Sequence, residues 1–214
     1  MGLILVVGFS GLTGCAASPT LVDGDEQGGF AIYRTGRLDP GQLEELCKLG
    51  VEELIVMDGT ARERECQRRS GVCANLRIRY DQAQDPEVPV RQDFLIAFDQ
   101  WVEESRGAGR KIAFRCRRGW HRTGRLAAYY RMRFQDWEQA AAADEMLQVG
   151  RLMWLYPELQ PQVGAMADWL ETGSCAQGSG DCPQASRGGS DPTAFPGEEG
   201  FARDVCDTSL GGDG

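Results

Sequence analysis

The fourteen residues KIAFRCRRGWHRTG at positions 111–124 constrain this chain more than any other stretch of it. Positions 111–114 form a short, mostly apolar run of strand type, and positions 122–134 carry apolar residues at helical spacing. Only the loop 115–121 separates them. A strand that passes through so short a loop into a helix gathers backbone N–H groups and the positive end of the helix dipole at one point, which makes a cradle for an anion. It also demands a layered α/β architecture, because both the strand and the helix must bury an apolar face against neighbours.

Cys116 stands at the base of that cradle. The amides and arginines around it favour the thiolate, the nucleophilic form of a cysteine. Six positions on, Arg122 can turn its planar fork back onto two phosphoryl oxygens, as a lysine cannot. Thr123 offers a hydroxyl to the sulfur, which helps the sulfur leave in a second step. Arg115, Arg117, Arg118, Gly119, Trp120 and His121 complete the loop and are the expected substrate contacts. His121 is the only histidine in the sequence; with no carboxylate at a useful spacing, it reads as a loop or substrate contact rather than a general base.

The same signals alternate through the middle of the chain. Strands are expected at 31–34, 53–57 and 76–80. Helices are expected at 40–50, with Asp39 as N-cap and Pro40 in the first turn, and at 61–69, 90–105, 137–149 and 158–170. The run 111–114 is then the fourth strand of a mainly parallel sheet flanked by helices. Beyond residue 171 the Gly, Ser, Asp and Pro content rises and no apolar period survives, so 172–214 reads as a disordered tail. The formal net charge is −9, yet positions 105–135 hold ten Lys or Arg and no acid. Aromatic residues interleaved for base stacking do not accompany those charges, so a nucleic-acid partner is not expected.

The loop resembles the C-x5-R signature of the cysteine-dependent protein tyrosine phosphatases. In low-molecular-weight phosphatases and arsenate reductases it follows the first strand; here it follows the fourth expected strand, as in the dual-specificity branch. CRRGWHRTG is similar to the CKRGKHRTG loop of plant and fungal atypical dual-specificity phosphatases. Upstream, IYRTGRLDPGQLEELCKLGVEELIVMDG resembles the opening of the same group, so the likeness spans about 30–170. Positions 77–98 also resemble the acid loop and following helix of bacterial phytase-like tyrosine phosphatases. One position departs: Arg115 stands where these families have His before the Cys.

The resemblance implies a tyrosine phosphatase-like fold and a phosphomonoester hydrolase that works through a cysteinyl-phosphate intermediate, with no metal or other cofactor. It implies inositol polyphosphates or phosphotyrosine proteins as substrates, and a carboxylic acid that protonates the leaving oxygen. Asp81, directly after the third expected strand, is the expected acid, and Asp85 the alternative. The contrasting reading is a non-catalytic, membrane-tethered phosphate-binding pseudophosphatase, which Arg115 favours and Cys116, Arg122 and Thr123 oppose.

At the amino end, the apolar run 3–12 closing in Leu12-Thr13-Gly14-Cys15 resembles the lipobox of bacterial lipoproteins. It implies a signal peptide over 1–14, a diacylglyceryl group on Cys15, and an exported protein anchored to a bacterial cell envelope through that lipid alone. A buried first strand, LILVVG, is the other reading of this run. Residues 15–28 then read as a polar tether and 29–171 as the phosphatase-like domain. Eight cysteines suit an oxidising compartment. Cys66 with Cys73, and Cys175 with Cys182, are the expected disulfides, leaving Cys116 free. With one histidine and no CxxC pair, a metal site is not expected.

Overall fold

The computed structural model describes residues 17–25, 27–64, 67, 71, 73–175 and 180–185. Five strands, β1 (Thr20–Gly24), β2 (Ala31–Thr35), β3 (Val51–Val56), β4 (Arg77–Asp81) and β5 (Lys111–Arg115), form one sheet in the order β1-β2-β5-β3-β4. The pairs β2–β5, β5–β3 and β3–β4 are parallel, and β1 runs antiparallel to β2 at the edge. Helices α1 (Pro40–Lys48), α2 (Gln92–Gly107), α3 (His121–Gln135), α4 (Gln139–Val149) and α5 (Leu159–Thr172) flank the sheet.

Strand alternation sorts the two faces of the sheet. Ile112 and Phe114 point with Ile32 and Ile55 into a core built with α2 to α5, while Ala113 points with Tyr33, Leu54 and Val56 onto Leu43 and Leu46 of α1. In the larger core, Phe98 of α2 meets Phe114 and Tyr129 edge-on, with ring centroids 6.1 and 6.2 Å apart. Helix α1 starts where its sequence says. The Asp39 carboxylate accepts from Gln42 N at 2.8 Å, the Gln42 side chain returns a bond to Asp39 N, and Pro40 occupies the first turn. Of the expected helix at 61–69, Glu63, Arg64 and Gln67 are helical.

Both ends of the domain correct the sequence reading. Residues 20–24, expected within a tether, are β1, and the loop-bearing strand is therefore the fifth and not the fourth. TLVDG has little strand signal of its own; long-range bonds hold it. Arg131 donates to the Val22 carbonyl at 2.7 Å, and Tyr130 donates to the Asp23 carboxylate at 2.6 Å. At the other end, α5 runs to Thr172, and within the segment expected to be disordered from there Gln184 is bonded to the domain. Gln184 N donates to Val90 O and Gln92 N to Gln184 O, each at 2.9 Å, behind a Cys175–Cys182 disulfide. Residues 186–214 lie outside the described part of the chain, as do Cys15 and Cys66.

The third correction concerns Cys73, which pairs with Cys47, 26 residues away, and not with Cys66. The last turn of α1 brings Cys47 beside the turn that precedes β4, a proximity made by packing that spacing along the chain cannot register. Cys116 is free and buried, the one free cysteine among the described residues.

Candidate active site

The carboxyl ends of the parallel strands converge on β5. In register, Arg115 lies between Thr35 of β2 and Val56 of β3. Because β5 was inserted between strands that precede it in sequence, this is where the connections diverge to either side, the place where open α/β sheets bind ligands. The chain leaves β5 through residues 116–120 and enters α3 at His121.

Three outward carbonyls pin the loop. Arg37 N donates to Arg117 O at 3.2 Å, Ala17 N to Arg118 O at 3.0 Å, and Arg34 Nη2 to Gly119 O at 3.1 Å. Gly119 has φ +77°, and a Cβ there would come within 2.6 Å of Gly36 N and 2.8 Å of the Thr35 carbonyl carbon, so the turn admits only glycine. No side chain caps α3, whose first internal bond runs from Gly124 N to Trp120 O. The amides just before it are left to an anion, in contrast to the fully boxed start of α1.

Within this loop, Cys116 Sγ lies 3.7 Å from Thr123 Oγ1, and both residues are buried. The Nε of Arg122 is buried without a hydrogen-bond partner among the described residues, a donor that an oxyanion seated in the loop would satisfy. Arg117 and Arg118 are exposed, and the Trp120 ring lies between two guanidinium groups, 5.8 Å from Arg118 and 5.7 Å from Arg151. His121 is turned away from the loop: its Nε2 is 3.0 Å from Arg151 O, and its ring stands 4.5 Å from that of Tyr156. Burial, together with the charges of Arg118 and Arg122, holds its pKa below the usual histidine value, so the ring is neutral near pH 7.

Arg115 corrects an expectation. It is fully buried and cannot be a substrate contact. Its guanidinium donates to Asp58 Oδ1 at 2.6 Å, to Glu63 Oε2 at 2.7 Å and to Thr60 O at 2.7 Å. Burial works against that charge, but Glu63 and Asp58 outweigh it and raise the pKa. Asp58 is reciprocally held below the ordinary carboxylate value: burial opposes this, while Arg115, Thr60 and Arg37 more than compensate.

The two candidate acids have different surroundings. Asp81, the last residue of β4, turns its Oδ2 to Ala61 N at 3.2 Å, and burial pushes its pKa up. Asp85 lies in the loop between β4 and α2, exposed, its Oδ1 accepting from Glu87 N at 2.9 Å. That loop is bound to α3 through Arg125, which donates to Val88 O at 2.8 Å and to Asp85 O at 3.5 Å and also bonds Gln162. Burial, reinforced by Arg122, depresses the Arg125 pKa to about 10. A cavity of about 330 Å³ beside the Cys47–Cys73 disulfide, lined by Gly50, Val51, Glu52 and Leu76, lies at the opposite end of the sheet, where β3 begins.

The sequence matches no protein-family model and no curated protein. Solved structures do resemble it. The core catalytic domain of the PP-IP phosphatase SIW14 from S. cerevisiae, in complex with citrate, is 19% identical, with 71% of this chain and 87% of that chain covered at a TM-score of 0.52. Tk-PTP in its active form is 16% identical, with 72% and 97% covered at 0.51. TpbA from P. aeruginosa is 18% identical, with 71% and 96% covered at 0.49. The likeness to SIW14 and Tk-PTP defines the class of fold: a tyrosine phosphatase-like α/β sheet flanked by helices. At these identities it speaks for the fold, and the chemistry rests on the residues of the loop.

Sequence reasoning missed Arg34, Arg125, Asp58 and Glu63. Arg125 had a signal, since it stands one turn after Arg122 on the same helix face. Asp58 had a weaker one: an arginine ending a buried strand needs a carboxylate nearby, and Asp58 stands two residues past the end of the neighbouring strand. Arg34 and Glu63 carry none that is local.

Proposed function

We propose that the chain is a cysteine-dependent phosphomonoester hydrolase. The observation that carries this reading is the loop itself, with Cys116 against Thr123 over the uncapped start of α3, and the next residue back, Arg122, keeping a buried Nε without a partner among the described residues. Cys116 Sγ attacks phosphorus, the ester P–O bond breaks, and a carboxylic acid passes its proton to the leaving oxygen. Arg122 and the loop amides hold the equatorial oxygens meanwhile. Water then attacks the cysteinyl phosphate, its proton goes to the carboxylate, and the S–P bond breaks with the Thr123 hydroxyl donating to the departing thiolate.

The geometry favours Asp85 over Asp81 as the acid. Arg125 holds the Asp85 loop on the helix that carries the cradle, and Asp85 is exposed to an incoming substrate whereas Asp81 is half-buried. Exposed Arg117 and Arg118 support a substrate with several phosphates, inositol polyphosphates ahead of phosphotyrosine proteins. The lipobox-like sequence supports export and acylation at Cys15. A non-catalytic binding role loses its one argument, because the charge of Arg115 is engaged by Asp58 and Glu63.

The test is phosphate release from an aryl phosphate by the full chain without added metal. Wild type turns over, Cys116→Ser abolishes turnover, and Arg122→Lys loses most of it because a point charge cannot replace the fork. Activity retained in Cys116→Ser removes the mechanism; no turnover in wild type leaves a binding module.

A further inference from the structure

The connection between α4 and α5 is unusually apolar on its outside. Trp154 is 76% exposed, Leu155 45% and Leu152 42%, while Met153 between them is buried in the core. Leu152 adopts φ +56°, a left-handed conformation that a leucine enters only at a cost; a residue chosen for a free turn would be Gly or Asn. This segment borders the mouth of the phosphate loop: His121 Nε2 is 3.0 Å from Arg151 O, and the Arg151 guanidinium stands 5.7 Å from the Trp120 ring. Arg117, Arg118 and Arg151 are exposed, and the last two guanidinium groups lie 5.8 and 5.7 Å from the Trp120 ring. Neither 116–135 nor 146–157 contains an acidic residue, in a chain whose net charge is −9.

Ala17 lies against the same loop. Ala17 bonds Arg118 O at 3.0 Å and Gly36 N at 2.8 Å. Two positions before it in sequence stands Cys15, the residue that the lipobox-like sequence would acylate.

We infer that Leu152, Trp154 and Leu155, ringed by Arg117, Arg118 and Arg151, form a docking surface for an anionic lipid bilayer, with the phosphate loop held at headgroup level. Tryptophan and leucine enter the interfacial zone while arginines meet lipid phosphates. Each cation near such a surface adds attraction that falls off within a Debye length. The docking itself rests on the surface alone. Its consequence, that phosphomonoesters carried on the membrane are favoured over dissolved ones, rests on the phosphatase reading.

Two measurements on the full chain keep these apart. With phosphatidylglycerol–phosphatidylcholine vesicles carrying brominated acyl chains, part of the tryptophan emission is quenched, and Trp154→Phe removes that part. Equal quenching in wild type and Trp154→Phe overturns the proposal. So does shielding of Trp154 from iodide before lipid is added, which assigns the face to the chain's own end, or a dimer that Trp154→Phe dissolves. In the second, Trp154→Ser with Leu155→Ser lowers turnover of a phosphorylated lipid in vesicles about tenfold, since two large apolar side chains no longer insert, and leaves its dihexanoyl form in solution unchanged. Equal losses on both substrates mark a structural role and overturn the consequence. Quenching without turnover of any phosphate leaves the docking standing and removes the phosphatase reading.

Discussion

The approach of Cys116 to Thr123 was readable from spacing because a loop between a strand and a helix forces them together whatever surrounds it. The proposed acid was not, since it would come from another connection, where two aspartates stand four residues apart. Asp85→Asn should therefore lose on the order of 10² to 10⁴ in kcat on an alkyl phosphate, the usual worth of a positioned acid, and less on an aryl phosphate whose leaving group needs no proton. Asp81→Asn should leave turnover nearly intact and act on stability. Burial raises the Asp81 pKa above 3.8, so the folded state binds the extra proton just above that value. Its contribution to stability falls as pH rises through the shifted pKa, and the full penalty persists at neutral pH. The asparagine variant should be at least as stable as wild type at pH 7 and show a flatter dependence in the range just above pH 3.8; a melting temperature that drops at pH 7 would contradict this. Arg115 is the reverse case. Arg115→Met leaves buried Glu63 without its cation and Asp58 with Arg37 alone and should cost about 3–5 kcal/mol in denaturant titration, part of which Glu63→Gln in the same chain should restore.

At the scale of elements, the strands and helices with their own periodicity were legible, and their boundaries moved by a residue or two. What escaped was structure held by partners. Strand β1 exists because α3 supplies Arg131 and Tyr130 to it, and the Gln184 bridge exists because the start of α2 offers Val90 O and Gln92 N. Neither leaves a mark in the local sequence. The Cys47–Cys73 bond joins α1 to the approach of β4 in the same way. Peptide mapping without reduction should recover Cys47 with Cys73 and Cys175 with Cys182. Cys47→Ser should destabilise by about 2–4 kcal/mol, the usual worth of a native disulfide closing a loop of this size, with turnover at Cys116 unaffected because the bond lies at the far end of the sheet. His121 joins elements through its ring. With its pKa below the ordinary value, the unfolded chain protonates first, so stability should be complete above pH 6.5 and decline as pH falls through the folded pKa. As the only histidine, it makes that slope attributable, and His121→Gln should flatten it.

Across the whole molecule the charge is distributed unevenly, with ten cations from 105 to 135 in a chain of net −9. An anionic substrate is attracted by the mouth and repelled by much of the rest, which orients its approach and makes the encounter sensitive to salt. Turnover of inositol hexakisphosphate at low substrate concentration should fall as ionic strength rises from 0.05 to 0.5 M, more steeply than that of a small aryl phosphate. Arg117→Ala with Arg118→Ala should hurt the former more. Identical salt curves would leave the arginines without a role in recognition. One more property follows from where Ala17 sits. Its bonds to Arg118 and Gly36, and the Thr35 hydroxyl bond to its carbonyl at 3.0 Å, come before the β1–β2 ladder along the chain. If residue 15 is fixed in a moving bilayer, any pull on the molecule is carried in series through those few bonds before the sheet bears it. The phosphate loop would then be the first part of the fold to feel mechanical load.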